Sequence, residues 1–170
     1  MSKKIELYHY TRADRLSIEQ KGMLIRTKEQ SRQDFMDQFK SELSSQAVKH
    51  FTHSWEHECD DFNPDARHSV WFVSKRPEEN CSGIFYLVSM YGGEVISMIG
   101  EGNEDAKKFL ESIGEPLEIV CSIPVDDPNL VDFGNTELRL QRAVLPSEIV
   151  EINKLSCDPE KYEWKYIKEQ

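Results

Sequence analysis

Few residues in this sequence are of a type and in a setting to do chemistry. His9 stands in Leu7-Tyr8-His9-Tyr10-Thr11, where apolar and polar groups alternate as in a strand. An imidazole at a strand end can hydrogen-bond a ligand near neutral pH, or can simply occupy a polar rim. Glu94 follows Tyr91-Gly92-Gly93 inside an otherwise apolar segment. Paired glycines cost a helix about 1 kcal/mol each relative to alanine, which points to a close backbone approach to a ligand or a neighbouring element. A carboxylate there is expensive to bury without a partner. Glu94 is therefore either a catalytic carboxylate or the wet edge of a tight turn. His53, His57, Cys59 and His68 form a third group, with the first two on one helix face. It contains no H-E-x-x-H and no standard zinc spacing, so no metal is predicted. Neither a Rossmann G-x-G-x-x-G nor a P-loop occurs, which disfavours nucleotide binding by either route.

The elements that must position these groups can be read from periodicity. Residues 5–10 form a first strand, and Thr11 with Asp14 suggests a capping box opening a helix near 12–21, closed by Gly22. Phe35, Phe39, Leu43, Ala47, Phe51 and Trp55 recur every fourth residue and predict one long helix over 32–57 capped by Ser31. Ser69 to Ser74 reads as a buried strand. Residues 83–99 fit either a buried helix or two strands around the paired glycines. A helix over 104–113, a strand over 117–125 and a strand over 137–144 follow, with Pro146 interrupting before Ile149-Val150-Glu151-Ile152. Trp164 and Tyr166 are expected to dock on the body. Strands at the start and after residue 69, with helices between, suit an α+β sheet within a single domain over 1–170.

Composition narrows the classes. Eight Phe, six Tyr and three Trp in 170 residues suffice for a real core. No apolar run approaches the roughly 18–20 residues that cross a bilayer, so no membrane partner is expected. The opening Met-Ser-Lys-Lys is not a secretory signal, and four scattered cysteines form no C-x-x-C pair; the reading is cytoplasmic, with reduced thiols. A formal charge of −10 argues against broad, sequence-independent nucleic-acid binding.

Three stretches together resemble a known family. Leu7-Tyr8-His9-Tyr10-Thr11 with Leu16, Ile18 and Gly22 is similar to the opening of ADP-ribosyltransferase-fold proteins, including DarT-type DNA ADP-ribosyltransferase toxins. Ser69-Val70-Trp71-Phe72-Val73-Ser74 resembles their second block, and Glu137-Leu138-Arg139-Leu140 ahead of Pro146 and Ile149 resembles their last. The leucine-to-isoleucine spacing of the first block is one residue short, and Asn135-Thr136 stand where DarT-type toxins have Arg-x-x-Glu. The resemblance implies an ADP-ribosyltransferase-like mixed sheet with flanking helices and NAD as substrate. It implies that Glu137 stabilises the oxocarbenium-like species and holds the ribose, while His9, next to Thr11, fixes the adenosine ribose. Trp71, Tyr86 or Tyr91 would stack on nicotinamide, and Arg26 or Arg67 would meet the pyrophosphate, whose oxygens a guanidinium matches in pairs.

The function so implied is mono-ADP-ribosyl transfer from NAD to a macromolecule, protein or nucleic acid, in the manner of a toxin or phage-related effector. The related transfer of an RNA 2′-phosphate would need a basic cluster that the sequence lacks. The competing reading is a non-enzymatic acidic binding or immunity protein that keeps the fold. Geometry bears on the choice: His9, Glu137 and an aromatic ring lining one pocket would favour the enzyme, and their lying on separate faces would favour the binding protein.

Overall fold

A computed structural model describes residues 2–58 and 69–168. The architecture follows from one long strand. β1 (Lys4–Ala13) pairs antiparallel with β3 (Glu115–Pro124) along all ten residues, from Lys4 against Pro124 to Ala13 against Glu115. Added around this pair are β2 (Val70–Val73), β4 (Leu130–Gly134), β5 (Glu137–Leu140), β6 (Ile149–Asp158) and β7 (Glu163–Tyr166). They complete a seven-stranded antiparallel sheet in the order β4-β5-β2-β1-β3-β6-β7. Six α-helices lie among the described residues: α1 (Arg15–Lys21), α2 (Lys28–Phe39), α3 (Ser45–Glu56), α4 (Ser82–Ser89), α5 (Glu94–Gly100) and α6 (Glu104–Ser112). The mixed α+β class expected from the sequence is what the chain adopts.

Pleating sends alternate residues of each strand to opposite faces, and each face has its own core. One face buries Leu7, Phe72, Leu117, Ile119, Leu138 and Leu140 beneath Ile18 of α1 and the Met23–Val144 bridge. The other buries Tyr10 and Leu155 beneath Ile84, Phe85 and Val88 of α4, with Trp164 of β7 sealing the end. A third cluster lies mainly among the helices: Phe35, Phe39, Ala47, Phe51, Ile96, Ala106 and Leu110 from α2, α3, α5 and α6, with Met90 of the α4–α5 connection.

Several boundaries differ from the expected ones, each for a local reason. The helix expected over 32–57 is two helices. Thr27 starts α2 with a complete capping box to Gln30, and Ser44 starts α3 by accepting from the Ala47 amide. The apolar recurrence runs unbroken across the break because both helices face the same cluster. Thr11 caps nothing. The ladder with β3 keeps the chain extended to Ala13, and Asp14 takes the cap, accepting from Leu16. Residues 83–99 are α4 and α5, parted where Gly92 and Gly93 adopt positive φ of 99° and 65°. α4 and α5 are together apolar enough to span a membrane but bend by 89°; among the described residues no single helix is long and apolar enough to cross one. β4 was not foreseen, and the strand expected over 137–144 stops at Leu140.

One carboxylate ties the second face together. Glu118 of β3 is 1% exposed, yet its oxygens accept from Arg76 Nε at 3.0 Å and Nη2 at 3.1 Å, Tyr10 Oη at 2.6 Å and Asn153 Nδ2 at 3.1 Å. Tyr166 Oη lies 3.0 Å from Tyr10 Oη and donates to the Pro77 carbonyl. The network fastens the connection after β2 and the C-terminal strand to the sheet centre. Replacing Glu118 with Ala removes the shared acceptor and leaves Tyr10 only its Tyr166 neighbour and Asn153 only the Glu151 carboxylate, while half-exposed Arg76 can turn to water. The expected cost is about 2–4 kcal/mol, read as a lower denaturation midpoint at unchanged m-value.

Candidate functional site

β1 ends in the wall of a cleft. Because Leu7 points into the first core, pleating aims His9 and Thr11 at the same face, beyond the cover that the buried core provides. There the strand, α1, the extended segment 22–26, α2 and the turn at 91–93 enclose a cavity of about 730 Å³. That volume lies within the range typical of small-molecule sites. Four of the residues chosen from the sequence line it: His9, Thr11, Arg26 and Tyr91.

Each is held by the local fold. His9 Nδ1 lies 2.7 Å from the Trp71 carbonyl, which can only accept, so Nδ1 carries the proton and Nε2 is left with its lone pair. Burial pushes the imidazole below its usual value, partly offset by that hydrogen bond. The ring therefore stays neutral at physiological pH. Arg26 projects from a segment clamped to the connection after β5, where Met23 and Val144 exchange backbone hydrogen bonds of 3.0 and 2.9 Å. Gly22 permits that clamp: its φ is 73°, and a Cβ there would stand 2.0 Å from the Val144 oxygen. Tyr91 meets Phe39 edge-on at 5.4 Å. Burial raises its phenol above the usual range, the Asp14 carboxylate adds to the rise, and Arg26 opposes it. The phenol thus lies within electrostatic reach of both groups.

The walls also carry Arg12, Lys21, Asp14 and Asp34; the Arg12 guanidinium turns to the opposite face, where its Nε donates to the Ile113 carbonyl, so two cationic side chains, Lys21 and Arg26, stand with two carboxylates. None of these four was singled out in the sequence as a ligand-binding residue. Asp14 was visible only as a capping partner, and nothing in the spacing of Asp34 distinguishes it from other polar positions of α2.

The remaining chosen residues do not converge on the cleft. Glu137 is exposed and opens β5 opposite Val73, which pairs in turn with Tyr8. It therefore lies on the face opposite His9, and at the end of β5 away from Leu140, the residue paired with cleft-lining Val70. Two strand spacings, about 10 Å, separate its backbone from β1, but the side chains diverge. Trp71 is on the same opposite face, 39% exposed, with its ring 5.1 Å from Phe133. Tyr86 is exposed on α4 against Phe85, also on that side. Glu94 is exposed at the start of α5, adjoining Gly93 of the cleft wall. The expected meeting of His9 and Glu137 in one pocket is corrected accordingly. The strand positions were legible, but the parity that sets their faces was not.

Arg67 lies outside the described residues, as do Cys59 and His68. His53 and His57 stack at 4.2 Å, and His57 Nδ1 lies 2.8 Å from the His53 carbonyl. No group of three His, Cys, Asp or Glu able to hold a metal occurs among the described residues. Compared with protein-family models, with curated proteins and with solved structures, the chain matches none.

The neutral state of His9 has a measurable consequence. With its folded value below the unfolded one, near 6.5, the unfolded chain binds the extra proton first as pH falls. The contribution to stability is therefore lost progressively below about pH 6.5. His9→Gln should flatten the stability profile below about pH 6.5, and the His9 ring should titrate below 6.5 by NMR.

Proposed function

We propose that the cleft beside His9 binds NAD and that the chain is an NAD-dependent mono-ADP-ribosyltransferase acting on a macromolecular target. The observation that carries this reading is the convergence of Tyr91 with His9, Thr11 and Arg26 of the N-terminal segment on one cleft of dinucleotide size. Two further features support it. The lining presents the Arg26 guanidinium, whose planar fork matches pyrophosphate oxygens. The three sequence blocks that resemble ADP-ribosyltransferases fall on neighbouring strands, in the order β5-β2-β1.

In this reading His9 Nε2 accepts from a ribose hydroxyl, the guanidinium of Arg26 meets pyrophosphate oxygens, and the Tyr91 ring borders the nicotinamide end. Breaking the nicotinamide–ribose bond sends its electron pair to nicotinamide and leaves positive charge on the ribose. A carboxylate must face that charge. Glu137 lies on the other face, so the role falls to the Tyr91 end of the cleft, to Asp14 or to Glu94. Asp14 is favoured: one carboxylate oxygen caps α1, and its charge acts on the Tyr91 phenol. The acceptor nucleophile then attacks the same ribose carbon and gives up its proton.

The divergence of His9 and Glu137 favours a second reading, a non-enzymatic binding domain that retains the cleft. Incubation with labelled NAD and a cell lysate separates them. The enzymatic reading expects label on a macromolecule, reduced at least tenfold in His9→Ala and Asp14→Asn but little changed in Glu137→Gln. Asn caps a helix about as well as Asp, so Asp14→Asn isolates the charge. Loss of transfer in Glu137→Gln alone would overturn the assignment of the carboxylate. Binding of NAD with neither transfer nor nicotinamide release would establish the binding domain.

A further inference from the structure

We infer that Asp34 is a displaceable counter-ion for Arg26, and that the pair makes the cleft selective for ligands carrying a diphosphate. The inference rests on the dinucleotide reading of the cleft and names the part of the ligand that Arg26 selects. Arg26 Nε meets Asp34 Oδ2 at 3.0 Å, and both side chains line the cleft. Nε is the nitrogen nearest Asp34, and among the described residues the two terminal nitrogens make no hydrogen bond. A phosphate offers paired oxygens to the same planar group and so forms the stronger, two-point contact.

The pair is also easy to part. Its side chains are 42% and 60% exposed, where an ion pair contributes little. The start of α2 does not need it, because Thr27 and Gln30 already satisfy that end of the helix through their capping box. Arg26 is held instead by backbone, through the Met23–Val144 exchange, so it stays at the cleft when Asp34 lets go. Before ligand arrives, Asp34 lowers the pull of Arg26 on single negative charges. A diphosphate, with more charge and more acceptor oxygens, overcomes that competition best.

Calorimetric titration of the full chain with NAD, ADP, inorganic pyrophosphate and adenosine tests this. Asp34→Asn should tighten ADP and pyrophosphate about three- to fivefold, the size of an exposed ion pair no longer opposing them. Adenosine affinity should not move. Arg26→Gln should weaken ADP at least tenfold, and the double variant should match Arg26→Gln alone. Asp37 of the same helix pairs with Gln33 and does not line the cleft, so Asp37→Asn controls for net charge and should change nothing. An Asp34→Asn protein that binds ADP within twofold of wild type, or more weakly, overturns the inference. NAD binding that ignores both Arg26 and Asp34 overturns the inference while leaving the NAD reading intact. The expected ADP and pyrophosphate pattern without NAD binding supports the inference and overturns the NAD reading. Wild-type protein that binds none of the phosphates overturns both.

Discussion

The constraint on which the molecule turns is the pleat of β1. Its ten residues are paired without interruption to β3, so the chain cannot rotate locally to re-aim a side chain. Odd positions go to one face and even positions to the other. Leu7, His9 and Thr11 therefore serve one core and the cleft beyond it, while Tyr8 and Tyr10 serve the core under α4. The same rule, carried across β2 to β5, sends Leu138 inward with Phe72 and leaves Glu137 on the Tyr8 side. The separation of the two groups that the family resemblance would join is thus a consequence of strand register, not of distance along the sheet.

The two faces are built with different chemistry. The face under α4 relies on a polar centre: Glu118 gathers Arg76, Tyr10 and Asn153, and Arg76 also lies over the Tyr8 ring at 4.7 Å. Every acceptor oxygen there has a donor, which is what allows a carboxylate inside an otherwise apolar strand. The cleft face has an apolar floor with polar groups only at its rim. A second ion cluster, Arg142 with Asp127 and Glu148, fastens the connection between β5 and β6 behind it. Arg142 holds both carboxyls below their usual values. That connection carries Val144, and so fixes the segment bearing Arg26.

Much of this was legible in the sequence, and the illegible parts share a cause. Alternation announced β1 and β3, a continuous apolar run announced β2, and glycines at 92, 93 and 114 marked real changes of direction. The cap of α1 was misassigned because Thr11 and Asp14 both have capping chemistry, and only pairing with β3 decides between them. α2 and α3 were merged because a four-residue apolar recurrence reports the face that is buried, not the continuity of the backbone. Asp34 and Lys21 are ordinary surface residues by type; only the closure of α1 and α2 over the end of β1 makes them neighbours of His9. Glu118 was invisible for the opposite reason, since its partners lie on three separate parts of the chain.

The cleft also lies on a seam. Ile18, Met23 and Val70 on one wall belong to the core of the sheet, whereas Phe35 and Ile96 on the other belong to the cluster among the helices. A molecule seated there would touch both bodies and draw its affinity from their being together. Occupancy would then couple the unfolding of the helical body to that of the sheet, so that the saturated protein melts as one cooperative unit.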